Sequence, residues 1–91
     1  MTRSKSESLS WIEINARAYL AQDDLNRKVK AEMETDRNGH PVLVIRVGRR
    51  KNRVPLADLV EYYDTTDWNY ILEQLADDPE LIATLDLDID Y

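Results

Sequence analysis

Val29-Lys-Ala-Glu-Met-Glu-Thr-Asp-Arg-Asn-Gly-His-Pro-Val-Leu-Val-Ile-Arg-Val-Gly48 is the stretch whose reading decides the fold. Val29, Ala31 and Met33 alternate with Lys30, Glu32 and Glu34, the period of a strand with one wet face. Asp36-Arg-Asn-Gly39 supplies turn chemistry, because Asn38 and Gly39 tolerate positive φ. Val42 to Val47 is apolar on both faces, as a central strand requires. Together they predict a β-hairpin closed by Gly48.

Upstream, Ser10-Trp-Ile-Glu13 has capping-box spacing, a hydroxyl followed three residues later by a carboxylate. Helix formers follow through about Gln22. Ile12, Ile14, Ala16, Ala18 and Leu20 also alternate as a strand would, so residues 11–21 are ambiguous. Alanine content favours helix. Residues 1–8 are polar and aperiodic, and read as a disordered lead to a single domain over residues 9–91.

Downstream, Arg49-Arg-Lys-Asn-Arg53 reads as a solvated loop or the tip of a second hairpin. Pro55 opens a helix in which Leu56, Leu59, Val60 and Tyr63 share a face. After Thr65-Thr66-Asp67, a second helix carries Trp68, Ile71, Leu72 and Leu75. Asp78-Pro79 starts a short third one with Leu81 and Ile82. Leu85-Asp-Leu-Asp-Ile-Asp-Tyr91 alternates strictly, as an edge strand would. The fold class expected is α+β: an N-terminal helix, an antiparallel hairpin, two or three short acidic helices on a small sheet, and the tail at its edge.

Composition bounds function. The chain has 91 residues, no cysteine and a formal charge of −6. Without cysteine there is neither a disulfide framework nor a thiolate metal site. The longest apolar run is far too short to span a bilayer, and no signal-peptide pattern appears behind Lys5. A soluble cytoplasmic protein with no membrane partner is expected.

Charge is divided along the chain. All 12 Lys and Arg residues lie at or before Arg53, whereas residues 54–91 contain 11 acids and no base. Arg46, Arg49, Arg50, Lys51 and Arg53, with Arg27, Lys28 and Lys30 on the facing strand, could track phosphates. No aromatic residue is interleaved for base stacking, and these bases could equally balance the acidic half. The acidic half has no internal base for i, i+4 pairs. Tyr62, Tyr63, Trp68 and Tyr70 gather at its Asp64–Asp67 break; Tyr63 and Trp68 fit apolar stripes, while Tyr62 and Tyr70 fall off them.

Chemistry-bearing constellations are missing. Asp86, Asp88 and Asp90 open like a calcium loop, but no glycine or terminal glutamate completes it. His40 stands alone beside the hairpin turn. No serine or threonine has a recognisable elbow or base, and no glycine-rich phosphate loop exists. No metal, cofactor or catalysis is expected. The leading expectation is a small regulator or inhibitor that binds a protein with a basic surface through Glu61, Tyr62, Asp64, Asp67, Trp68 and Tyr70. Size and charge resemble those of phage- or plasmid-type accessory proteins such as nuclease inhibitors and antitoxins. The alternative is a nucleic-acid-binding module using the bases of 46–53.

Overall fold

A computed structural model of the chain describes residues 4–21 and 28–88. The fold is α+β: an N-terminal helix, a three-stranded antiparallel sheet and several short helices. The order is α1 (Lys5–Ala21), β1 (Val29–Thr35), β2 (Pro41–Val47) and β3 (Arg50–Pro55). A 3₁₀ turn (Leu56–Leu59) then runs into α2 (Val60–Tyr63), followed by α3 (Trp68–Ala76) and α4 (Pro79–Ala83).

The hairpin forms where the alternation places it. β1 pairs with β2 in a register that sets Ala31 opposite Ile45 and Glu32 opposite Val44. Its turn is held by Asp36, whose Oδ1 accepts the N–H groups of Asn38 at 2.8 Å and His40 at 2.9 Å. Gly39 sits at φ +81°, where a side chain would be strained. β2 is the central strand, as its two apolar faces require.

Arg49 to Arg53, expected as a loop or the tip of a second hairpin, instead runs into a full third strand, Arg50 to Pro55, with Val54 opposite Leu43 and Arg53 opposite Val44. Only Val54 among its core-side positions is apolar, so period-two patterning is weak there. Pairing with β2 imposes the extended conformation instead.

α1 begins earlier than Ser10. Ser4 Oγ accepts the Glu7 N–H at 3.1 Å, so the capping spacing in use is Ser4 to Glu7. Residues 5–8, read as part of the polar lead, form its first turns. Ser8 is buried and extends an inner stripe through Ile12, Ala16 and Leu20. A small hydroxyl residue there conceals the first inward turn from a hydrophobicity reading.

One sheet face receives the helices. Val29, Ala31, Leu43, Ile45 and Val47 meet Ile12, Ala16 and Leu20 of α1, Ile71, Leu72 and Leu75 of α3, and Ile82 of α4. Each fully buried aliphatic side chain contributes about 1.5–3 kcal/mol. The opposite face carries Lys30, Glu32 and Glu34, then Val42, Val44 and Arg46, then Lys51 and Arg53. Val44 is fully buried outside the helix-covered core, lying in register between Glu32 and Arg53. The stems of such charged side chains cover apolar surface while their heads stay wet.

The tail departs from the edge-strand expectation over the residues described. Asp86 has φ 53°, which interrupts an extended run, and no strand forms over residues 85–88. Leu85 and Leu87 still pack on the core, and Asn52 Nδ2 donates to the Asp88 carbonyl at 3.0 Å. Ile89, Asp90 and Tyr91 lie outside the described residues, as does Arg27.

Candidate functional site

The acidic connector between α2 and α3 is built by its own aspartates. Asp64 ends α2 in the left-handed conformation, φ 53° and ψ 46°, a position that Asp and Asn tolerate better than most residues. Asp67 begins α3 as its N-cap, its Oδ1 accepting the N–H groups of Asn69 at 3.1 Å and Tyr70 at 3.3 Å. Thr65 Oγ1 in turn accepts the Asp67 N–H at 3.1 Å. These bonds fix the connector without any base.

Tyrosines flank it. Tyr62 is 61% exposed and Tyr70 44%, the expectation from their positions off the apolar stripes. Trp68 and Tyr63 are half-buried and pack against the core. The Tyr62 ring meets the Tyr63 ring edge-on, with centroids 4.8 Å apart. The Tyr63 hydroxyl donates to Asp78 Oδ2 at 3.4 Å. Burial pushes the Tyr63 phenol well above its ordinary value, with the Asp78 carboxylate adding to the shift. Asp78 Oδ1 meanwhile caps α4 by accepting the Leu81 N–H at 3.1 Å. Tyr62 therefore stands on a ring that is itself tied to the start of α4, which limits the freedom a partner would have to freeze.

Of the six residues proposed for partner contact, Glu61, Tyr62, Asp64 and Tyr70 present exposed side chains. Asp67 is exposed but already occupied as a cap. Trp68 gives part of its surface to the core. Asp58 and Glu80 are exposed elsewhere on the helical half and extend its negative field.

The bases of the hairpin behave differently. Arg46, Lys51 and Arg53 share the open sheet face with Glu32 and Glu34. Arg46 Nε donates to Glu32 Oε1 at 3.1 Å. Lys51 Nζ lies 2.8 Å from each oxygen of Glu34, donating to Oε1 and meeting Oε2 as charge without an aligned bond. That lysine, chiefly through its hydrogen bond, holds the Glu34 carboxyl below its ordinary value. Part of the hairpin's positive charge is thus balanced by β1 itself, not by the acidic half. Arg49 lies in the β2–β3 turn and Arg50 starts β3, both exposed. His40 is exposed beside the turn, its Nδ1 3.7 Å from Asp36 Oδ2.

Sequence patterning missed one surface. Trp11 and Ile14 on α1 are 47% and 48% exposed, and Ala18 continues their line. The alternation over Ile12–Leu20 arose because α1 has two apolar faces: Ile12, Ala16 and Leu20 point inward, and Ile14 and Ala18 outward. Beside that outer line, α1 and α4 form an open groove of about 340 Å³ lined by Asn15, Ala18, Tyr19, Pro79, Glu80 and Ala83.

Among the described residues no group of three His, Asp or Glu side chains is placed to hold a metal ion, and no helix is long and apolar enough to cross a membrane. Comparison with protein-family models, curated proteins and solved structures returns no match.

Proposed function

We propose that this protein is a non-catalytic regulator or inhibitor that binds a protein partner with a basic surface through its α2–α3 connector. The observation that carries the reading is the pair of exposed tyrosines, Tyr62 and Tyr70, bordering a pre-ordered connector rich in carboxylates. Tyrosine supplies large contact area with few torsions to freeze, and is enriched where interfaces concentrate their energy. The carboxylates Glu61 and Asp64 steer a basic partner toward those rings, at a rate that falls with added salt. The open sheet face offers a polyanion less, because Glu32 and Glu34 interleave with its bases.

Affinity capture from host extract at moderate salt, with and without nuclease, supplies the test. A stoichiometric protein surviving nuclease supports the reading, and the double variant Tyr62→Ala/Tyr70→Ala should weaken its capture about 30-fold or more, the scale of two interface anchors. Loss of all captured material on nuclease treatment would instead favour nucleic acid at the basic face. Unchanged affinity in the double variant would remove the connector from the interface.

A further inference from the structure

The groove between α1 and α4 joins the connector through Asp78. That carboxylate accepts the Tyr63 hydroxyl and caps α4, and Pro79 and Glu80 of the groove wall follow it directly in the chain. The walls are of two kinds. Ala18, Pro79 and Ala83 are apolar and Tyr19 adds an aromatic ring, while Glu80 supplies a carboxylate. No base lines the groove. Arg17, beside Ala18 in the chain, is engaged on the β1 side by Glu13 and the Val29 carbonyl. Asn15, on the same wall, donates to the Ala76 carbonyl at 2.8 Å, which sets the groove at the C-terminal end of α3. A nine-residue helix presents partial negative charge there, and α3 has no base in its last turn to offset it. Glu80 and the end of α3 are thus two separate sources of negative potential around one cleft with apolar sides.

We propose that this groove is a subsite for an arginine side chain of the protein partner, an inference that rests on the reading of that partner as basic. Shape and charge select the same group. An arginine joins an aliphatic stem to a planar cation, so the stem lies against Ala18, Pro79 and Ala83 while the head stays at the open mouth. There the guanidinium stacks on the Tyr19 ring and its fork of N–H donors meets the Glu80 carboxylate. The volume of about 340 Å³ is at the small end for a ligand site, the scale of a side chain rather than of a helix.

Other occupants fit less well. A carboxylate or phosphate group is repelled by Glu80 and by the end of α3. A wholly apolar group covers Glu80 without giving it a partner, which costs its hydration. The two contacts also differ in what they give the complex. The connector attracts a basic surface by its field, whereas the groove accepts one side chain in one orientation and so adds specificity to steering.

Titration of the whole isotope-labelled chain with N-acetyl-arginine amide, followed by backbone amide chemical shifts, tests the subsite without the partner. Shifts should centre on Ala18, Tyr19, Glu80 and Ala83. The neutral isostere N-acetyl-citrulline amide should bind about 5-fold more weakly, and Glu80→Gln should weaken arginine amide by the same factor, the scale of one exposed ion pair. Tyr19→Leu keeps an apolar wall but removes the ring face, and should weaken binding about 2- to 5-fold. Glu61→Gln with Asp64→Asn, both in the connector, should leave this titration unchanged. Equal binding of the two amides, shifts centred on the connector, or wild-type binding by Glu80→Gln would each overturn the subsite. So would partner capture that is indifferent to Glu80→Gln. The connector reading fails separately, since unchanged capture by Tyr62→Ala/Tyr70→Ala removes the connector while the arginine titration and the Glu80→Gln effect stand.

Discussion

Replacing Glu13 with alanine probes how α1 closes the outer edge of β1. Glu13 Oε2 accepts the Ala31 N–H at 3.2 Å, and Oε1 accepts Arg17 Nη2 at 3.2 Å. The same guanidinium donates to the Val29 carbonyl at 3.3 Å. One carboxylate thus satisfies a backbone donor on an edge strand and positions the base that satisfies an acceptor two residues earlier. Edge strands left open invite pairing with other chains, and these side chains occupy the place a fourth strand would take. Ala31 is only 8% exposed, so its N–H would lose its partner where water has little access. Leaving such a donor unpaired costs about 1–3 kcal/mol. The Glu13–Arg17 pair, with side chains 29% and 57% exposed, adds no more than about 0.5 kcal/mol. Alanine's helix propensity returns a few tenths of a kcal/mol. The net loss is about 2 kcal/mol, which for a domain of this size lowers Tm by roughly 8–16 °C. Glu13→Gln keeps an acceptor for Ala31 and should cost less than half as much. Thermal unfolding followed by circular dichroism, with hydrogen exchange at the Ala31 amide, measures both. An Ala variant melting within about 2 °C of wild type, or a Gln variant as destabilised as the Ala one, would refute the reasoning.

Asn52 bridges the Ile45 carbonyl and the Asp88 carbonyl through Nδ2, at 3.1 and 3.0 Å, while its Oδ1 accepts the Asp88 N–H. Asn52→Ala should cost about 1–2 kcal/mol and speed exchange at the Asp88 amide, with unaltered exchange counting against the bridge. Tyr63 has a folded-state pKa above its unfolded value of 10.0, so its contribution is present below pH 10 and lost as pH rises further. Tyr63→Phe should flatten the alkaline limb of the stability profile, and a parallel limb would contradict the burial argument. Glu34 is the opposite case. Its folded pKa is lowered from 4.5, so its contribution is present above that value and is lost as pH falls through the folded pKa. Lys51→Met should weaken that acid dependence, as acid titration of both proteins would reveal.

The hairpin was readable because burial and period agree in it: β1 has one wet face, β2 is apolar on both faces but for Arg46, and β2 is indeed the strand with neighbours on both sides. The starts of α3 and α4 were readable because Asp67 and Asp78 use side-chain oxygens that only a few residue types provide. β3 was not, because Arg50 and Asn52 occupy its core-side positions and the pairing partner, not local pattern, sets its conformation. The start of α1 was hidden by Ser8. The connector tyrosines followed from a simple rule, since a residue off the apolar stripe of a short helix faces water. Trp11 and Ile14 escaped the same rule, because two apolar faces on one helix mimic the alternation of a strand.

The division of charge has a different meaning in three dimensions than along the chain. Had the hairpin bases paired with the acidic helices, both surfaces would be spent on stability. Instead Arg46 and Lys51 are matched by Glu32 and Glu34 on their own sheet, and Glu61 and Asp64 keep their exposure beside Tyr62. The connector therefore retains a field that reaches about 8–10 Å at ordinary ionic strength.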